Sequence, residues 1–367
     1  MSQFGHVGAI AGRFALNGEV REVEPMPGGH INDSYRVTVA APDGTPAWYL
    51  LQHVNPDVFT NASQVMENIS YVTRHLAAQR RAGRTRREAL ALIPTTSGGA
   101  WTEDSSRSCW RMYVFITGTH VRERPQSPAE VREAARAFGE FLFLLADYSG
   151  PPLHETIRGF HDSAARLERF RAAVAGDVVH RVAHVALEIE AILAQADLVK
   201  VLPPFLANGE VPLRIVHNDA KLANVLLDDA TGIARCVVDL DTVMPGSILH
   251  DFGDMVRSMT TPTDEDETDL DAIRVHIPLF EAVAEGFLES AGPMLTPRER
   301  TLLIHAGRLI TYEQAIRFLT DYVEGDRYYR VNAPDQNLRR ARAQLRLLET
   351  LCAHAGDLEA IVARLTP

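Results

Sequence analysis

The chain has 367 residues, 46% apolar and 23% charged, a globular balance that excludes a disordered or fibrous protein and suggests two domains. With 37 basic against 48 acidic residues the net charge is −11, which argues against nucleic acid or an anionic membrane as the main partner. Cys109, Cys236 and Cys352 form no C-x-x-C pair, and Met1 to Val20 lacks a basic segment followed by a long apolar run. The longest apolar stretch, 138–146, is too short to span a bilayer, so a soluble cytoplasmic protein is expected.

The first third reads as a sheet. Residues 36–39 and 48–52 are β-favouring runs separated by the turn residues Pro42, Asp43 and Gly44. A helix is expected over 62–80, where Val65, Ile69, Val72 and Leu76 share one face. Residues 110–116 read as another strand, which stops at Thr117 and Gly118. Helices dominate from Ser127-Pro128-Ala129-Glu130, a capping hydroxyl, a helix-starting proline and a glutamate three residues after the cap. Helical spacing recurs over 164–175, 182–198, 269–291, 297–319 and 337–365. One β-rich island, 214–241, interrupts them and reads as an embedded hairpin, with two short strands flanking a polar loop. The expected division is an N-terminal lobe, 1–117, and a helical C-terminal lobe, 118–367.

That loop carries the chemistry. His217, Asp219, Lys221 and Asn224 spell H-x-D-x-K-x-x-N, and a strand ends in Asp239 fifteen residues after Asn224. The pattern is that of the catalytic loop of kinase-like phosphotransferases. Phosphoryl transfer needs positioning and charge neutralisation more than covalent help. Asp219 suits the carboxylate that orients an acceptor hydroxyl and takes its proton. Asn224 and Asp239 offer the oxygens that hold magnesium on the phosphates. Lys221, one of only two lysines in the chain beside Lys200, suits neutralisation of the transferring group. His217 reads as a brace for the loop. The plain alternative is a polar turn that matches by coincidence, and the flanking strands and the spaced Asp239 argue against it.

These residues resemble the aminoglycoside phosphotransferase and choline kinase superfamily, whose catalytic loop and metal aspartate match His217, Asp219, Asn224 and Asp239. More closely, the chain is similar to the N-acetylhexosamine 1-kinases of that superfamily. The matching blocks include Gly29-His30-Ile31-Asn32-Asp33, Tyr49-Leu50-Leu51-Gln52 and Val65-Met66-Glu67-Asn68-Ile69. Further blocks are Trp110-Arg111-Met112-Tyr113, Leu153-His154-Glu155-Thr156-Ile157, Val238-Asp239-Leu240-Asp241-Thr242 and Arg317-Phe318-Leu319-Thr320-Asp321-Tyr322. The resemblance implies a two-lobed, protein-kinase-like α+β fold, ATP with Mg2+, and phosphorylation of the anomeric hydroxyl of GlcNAc or GalNAc. It implies adenine against the backbone near Val114 and Ile116, phosphates near Gly28, Gly29, Gln52 and Glu67, and sugar contacts from His30, Arg317 and Tyr328. The expected partners are therefore ATP and a small sugar acceptor, with no nucleic acid and no membrane.

Protein kinases grip the α- and β-phosphates with a strand lysine paired to a helix glutamate. Here no lysine precedes Lys200, the strand ends in Gln52-His53, and Glu67 stands for the helix glutamate. A nucleotide-binding pseudokinase is therefore a second reading. A kinase of the same superfamily acting on an aminoglycoside, choline or another sugar is a third. Asp251-Phe252-Gly253 spells D-F-G, but it lies 27 residues after Asn224, so Asp251 reads as a structural carboxylate fixing the loop. Asp241 reads as either a metal-shell or a loop-ordering residue. Gly28 and Gly29 alone are a hairpin turn, and His30 is either a sugar contact or an exposed turn residue. Arg317 stands in an apolar stretch and must be paired, either by sugar hydroxyls or by Asp321. Glu155, His161 and Asp162 stand in another family-like block near the expected acceptor pocket and read either as part of that pocket or as cap or salt-bridge residues. His180 and His184 have zinc-compatible spacing on an expected helix, without the glutamate of H-E-x-x-H.

Overall fold

A two-residue alternation along three strands explains how the first unit is built. In a computed structural model, which describes residues 3–26 and 31–366, the chain divides into two compact units. The first comprises Met1–Thr119 with two later segments, Ser149–Ile157 and Leu240–Thr242, and the second comprises the remainder. The sequence division at 117 places those two later segments in the C-terminal lobe. Spatially they are part of the first unit.

Helix α1 (Gln3–Ala11) leads into strands β1 (Glu19–Pro25), β2 (Asp33–Ala40) and β3 (Pro46–His53), then helix α2 (Ala62–Arg81), β4 (Thr102–Glu103) and β5 (Cys109–Val114). The strands form one antiparallel sheet in the order β1-β2-β3-β5-β4. Val37, Val39, Tyr49, Leu51, Trp110 and Met112 bury themselves with Val7, Ile10 and Phe14. Because side chains alternate, the residues between them belong to the other face, and Ser34, Gln52 and Arg111 stand in register across β2, β3 and β5. The sequence reading missed α1 and β1, the latter because Glu19, Arg21, Glu22 and Glu24 give it a polar edge composition.

The chain passes between the units at β6 (Thr119–His120). The second unit contains α3 (Pro128–Leu145), α4 (Ser163–Gly176), α5 (Ala186–Ala194), α6 (Pro203–Ala207), β7 (Arg214–Val216), β8 (Val225–Asp228), β9 (Ala234–Val237) and β10 (Met244–Gly246). It continues through α7 (Ile248–Met259), α8 (Ile277–Ala291), α9 (Pro297–Glu324), α10 (Gln336–Ala353) and α11 (Ala355–Leu365). A small sheet unit and a larger helical unit make this a protein-kinase-like α+β fold. Ser127 caps α3 by accepting the Glu130 N–H, as its sequence predicts.

Four expected elements differ, one of them the helix expected over 337–365, which splits at His354 into α10 and α11. The strands on either side of the polar loop do not pair with each other. β7 pairs with β10, and β8 with β9. The helix expected from 269 begins only at Ile277, because Pro278 fits a first turn and would break an interior one. The helix expected over 182–198 is broken, and His180 lies before it in a left-handed conformation, φ 57°. His180 and His184 therefore do not share a helix, and the four-residue helical spacing read from the sequence is not formed. No described helix is long and apolar enough to cross a membrane.

Glycines set two helix crossings in the helical unit. A Cβ on Gly286 of α8 would lie 2.1 Å from the Arg132 carbonyl of α3, and one on Gly139 of α3 would lie 2.9 Å from the Phe287 carbonyl. The same reciprocity joins Gly253 of α7, 2.5 Å from the Ala306 carbonyl of α9, to Gly307, which packs on Val256. The glycine of D-F-G is thus a packing residue inside a helix.

Candidate active site

Strand β7 ends at Val216, and the chain turns sharply through Asn218, whose φ of 63° is left-handed, a conformation asparagine tolerates better than most residues. Asp251, in the first turn of α7, holds this turn by accepting the backbone N–H groups of His217 at 2.8 Å and Asn218 at 2.7 Å. His217 packs edge-on against Phe138 and Phe141, and its Nε2 lies 2.9 Å from the Val238 carbonyl, so it braces the loop from inside. A single helical turn, Leu222–Asn224, then leads into β8.

The turn brings Asp219, Lys221 and Asn224 together. The Lys221 Nζ lies 3.0 Å from Asp219 Oδ2, and the Asn224 amide donates to the same oxygen and to the Asp219 carbonyl, both at 2.8 Å. Asp219 and Lys221 keep 28% and 27% of their side chains exposed, so the site is open to a substrate. Loss of water works against ionisation of Asp219. The charges of Lys221 and His217 and the Asn224 hydrogen bond overcome it and hold the carboxyl well below the usual range. Burial likewise works against the Lys221 charge, but Asp219 and Asp239 raise it above an ordinary lysine. For Asp251 burial wins over its backbone hydrogen bonds and the nearby His217, lifting it to about 6.

Asp239 follows β9 in a left-handed conformation, φ 61°. The Asn224 carbonyl accepts the N–H of Val238, the residue before Asp239, at 2.9 Å, which ties the turn that enters β8 to the segment that leaves β9. One carboxylate and one carboxamide, with oxygen donors and no sulfur or imidazole, suit a hard divalent cation that keeps much of its shell in water or phosphate. Mg2+ fits that set.

Arg317 lies on α9 with three aromatic rings around its guanidinium, Phe160 at 5.1 Å, Tyr329 at 5.6 Å and Tyr328 at 5.9 Å. Its hydrogen bond goes to Gln314, not to Asp321. Asp321 is already saturated, because it accepts the backbone N–H groups of Arg327, Tyr328 and Tyr329 and the Asn337 amide. Of the two alternatives for Arg317, the pair with Asp321 is therefore absent, and Asp321 instead shapes the turn that presents Tyr328. Arg166 and Arg317 line one pocket with Tyr328 and Tyr329.

In the sheet unit, Gln52 accepts from Arg111 Nε at 3.0 Å and donates to Ser34 Oγ at 3.0 Å. Arg111 makes a two-point ion pair with Asp241, which also accepts from Asn32. Asp241 thus orders its segment through an arginine. Glu67 of α2 pairs with His154 Nε2 at 2.7 Å, and Asn68 beside it exchanges two hydrogen bonds with the His154 backbone. Gln52 and Glu67 therefore serve separate networks. The Val114 N–H is taken by the Ala91 carbonyl, the Phe115 N–H by Trp48, and the Ile116 carbonyl accepts from Thr119. Gly28, Gly29 and His30 lie outside the described residues. Asp162 caps α4 by accepting the Ala165 N–H, the cap role its position suggested.

Arg111, Glu313 and His250 were not singled out from sequence. Arg111 gave a signal, a lone charge in the buried run from Cys109 to Tyr113. Glu313 gave a similar one on the buried face of α9. His250 gave none.

A profile of the phosphotransferase enzyme family (APH) matches residues 22–300. Among solved structures, a microcompartment-associated aminopropanol kinase is similar at TM-score 0.64 and 14% identity, over 97% of this chain and 98% of that one. A spectinomycin phosphotransferase in complex with ADP and spectinomycin matches at 0.59 and 12%, over 92% and 94%. A Plasmodium vivax ethanolamine kinase matches at 0.55 and 12%, over 88% and 82%.

Proposed function

The chain belongs to the phosphotransferase enzyme family, and within it we propose an ATP-dependent sugar kinase that phosphorylates the C1 hydroxyl of an N-acetylhexosamine, GlcNAc or GalNAc. The observation that carries the choice of acceptor is the arginine and tyrosine lining around Arg317. Cationic acceptors such as choline, ethanolamine or an aminoglycoside call for exposed carboxylates. Here Arg166 and Arg317 face the same pocket as Tyr328 and Tyr329, and of the two carboxylates there, Asp321 is saturated and Glu324 pairs with Arg169. Guanidinium donors and aromatic faces suit the hydroxyls, carbonyl and apolar face of a neutral sugar.

In this reading Asp219 accepts a hydrogen bond from the C1 hydroxyl and takes its proton as the phosphoryl group transfers. Lys221 neutralises the moving group. Asn224 and Asp239 hold Mg2+, which would screen the charge of the phosphates. With its carboxyl held low by Lys221, Asp219 orients the hydroxyl first and receives the proton late, and an anomeric hydroxyl suits this because it is more acidic than an ordinary alcohol. Adenine would take contacts near Ile116, since the Val114 N–H is already bonded. The cytoplasm is the setting this reading expects.

The test is ADP release from Mg·ATP with GlcNAc, GalNAc, mannose, glucose, choline and kanamycin, followed by phosphorus NMR of the product. A C1 phosphate on an N-acetylhexosamine supports the proposal. Turnover on choline or kanamycin alone overturns the acceptor and leaves the loop chemistry standing.

A further inference from the structure

Asn218, the residue before Asp219, is held at its N–H by Asp251. It is held at its carbonyl by a histidine far away in sequence. His161, 6% exposed, directs Nε2 at the Asn218 carbonyl at 3.0 Å and Nδ1 at the Glu313 carboxylate of α9 at 2.9 Å. A carbonyl and an ionised carboxylate only accept, so both ring nitrogens must donate, and the ring is an imidazolium. Ser163 donates to the other oxygen of Glu313, which fixes the carboxylate in turn.

We propose that His161 is a positioning residue for the catalytic loop, held as an imidazolium by Glu313 so that it clamps the Asn218 carbonyl and fixes the direction of Asp219. This rests on the reading of Asp219 as the group that handles the acceptor proton. The charged and titratable groups around His161 are consistent with it. From α9, Glu313 supplies the counter-charge and Arg317 opposes it. From α7, the His250 ring lies tilted against it with centroids 4.6 Å apart, and Asp251 lies within electrostatic reach. Burial works against the His161 charge, and Glu313 and the Asn218 carbonyl outweigh it, so the ring titrates above an ordinary histidine. His250 bears the opposite burden. Burial and the His161 charge bring it down to about 3, and its Nδ1 meets no hydrogen-bond partner among the described residues. Only one of the two rings carries the extra proton.

The clamp acts on geometry, so its loss should appear in turnover. His161→Gln keeps a donor but loses one of the two contacts, and should lower kcat about 10–100-fold, the scale of an ångström of misplacement, with KM for ATP little changed. Glu313→Gln gives the more diagnostic readout. Without the carboxylate, burial and the Arg317 charge bring the ring below the ordinary histidine range, so kcat should sit about tenfold below wild type at pH 8 and recover only as pH falls below about 6, while wild type shows no such limb. Rates are read as ADP release from Mg·ATP by the full chain, with N-acetylglucosamine and, in parallel, with water as the only acceptor. Nitrogen-15 NMR of the histidine rings provides a reading independent of turnover. Both His161 nitrogens should stay protonated through pH 8 in wild type and titrate in Glu313→Gln.

A neutral His161 ring in wild type at pH 7 overturns the inference, as does a folded His161→Gln with wild-type kcat. Asp219→Asn in the same assay separates the two readings. If it keeps full turnover, the role of Asp219 fails. If it is inactive while both His161 and Glu313 variants run at the wild-type rate, only the clamp fails.

Discussion

Arg111 and Asp241 stand 130 positions apart in the chain and form a two-point ion pair with 1% and 3% of their side chains exposed. Arg111 reaches the pair from the non-core face of β5, in register with Gln52, which shares the guanidinium through Nε. Asn32 adds a donor to the carboxylate. Every charge in this network is met, as burial at this depth demands.

Removing one partner leaves the other charge stranded. Arg111→Met or Asp241→Leu should destabilise the sheet unit by about 3–5 kcal/mol, and the double variant by less than the sum of the two. Trp48, Trp101 and Trp110, the three tryptophans of the chain, all lie in this unit, so urea unfolding followed by tryptophan fluorescence reads it separately. Additive losses would count against the pair as a unit.

Asp219→Asn preserves the shape of the loop and removes the carboxylate proposed to meet the acceptor proton. Turnover should fall about 10²–10⁴-fold. Near-wild-type ADP release from a folded variant would rule out the assigned role.

Arg317→Met keeps the length of the side chain and loses its donors. The KM for the acceptor should rise about 10–100-fold, the range for losing a hydrogen bond to a charged group, while KM for ATP holds. A fall in kcat alone would move Arg317 away from acceptor recognition. The measurement is initial rates over an acceptor titration.

Gly253→Ala places a methyl group 2.5 Å from the Ala306 carbonyl of the neighbouring helix. Alanine's better helix propensity returns about 1 kcal/mol, but two packed backbones must separate, so a net loss of about 1–3 kcal/mol is expected. Gly98→Ala is the contrast. A Cβ there meets open space, and its left-handed φ of 89° is the only cost. Thermal unfolding monitored by far-UV circular dichroism checks the Gly253 variant.

Neighbouring residues His250 and Asp251 respond to acid in opposite senses. His250 sits at about 3 in the folded protein, so below 6.5 the unfolded chain binds the extra proton and stability falls as pH falls. Asp251 sits at about 6, so between about 6 and 4 the folded protein binds the extra proton and stability rises as pH falls. His250→Phe removes the first effect. Relative to wild type, the variant should gain up to about 1.4 kcal/mol for each pH unit below 6.5. Urea midpoints at pH 7, 6, 5 and 4 give the slope, and a constant offset would show that His250 carries no depressed titration.

The sequence by itself determined whatever is contiguous. Asp219, Lys221 and Asn224 lie within six residues, so one turn must bring them together, and their types already state the chemistry. Helix starts such as Ser127-Pro128 were legible because a cap satisfies backbone groups of its own first turn. The tertiary structure alone decided which distant charges meet. Arg111 with Asp241, and His161 with Glu313 across 152 positions, are favourable only once both partners have left water together. It also decided that β7 joins β10 and not the strand after the loop, and that Asp321 serves the backbone of the Tyr328 turn and not Arg317. Local spacing cannot encode such pairings, because their free energy comes from burial that the rest of the fold creates.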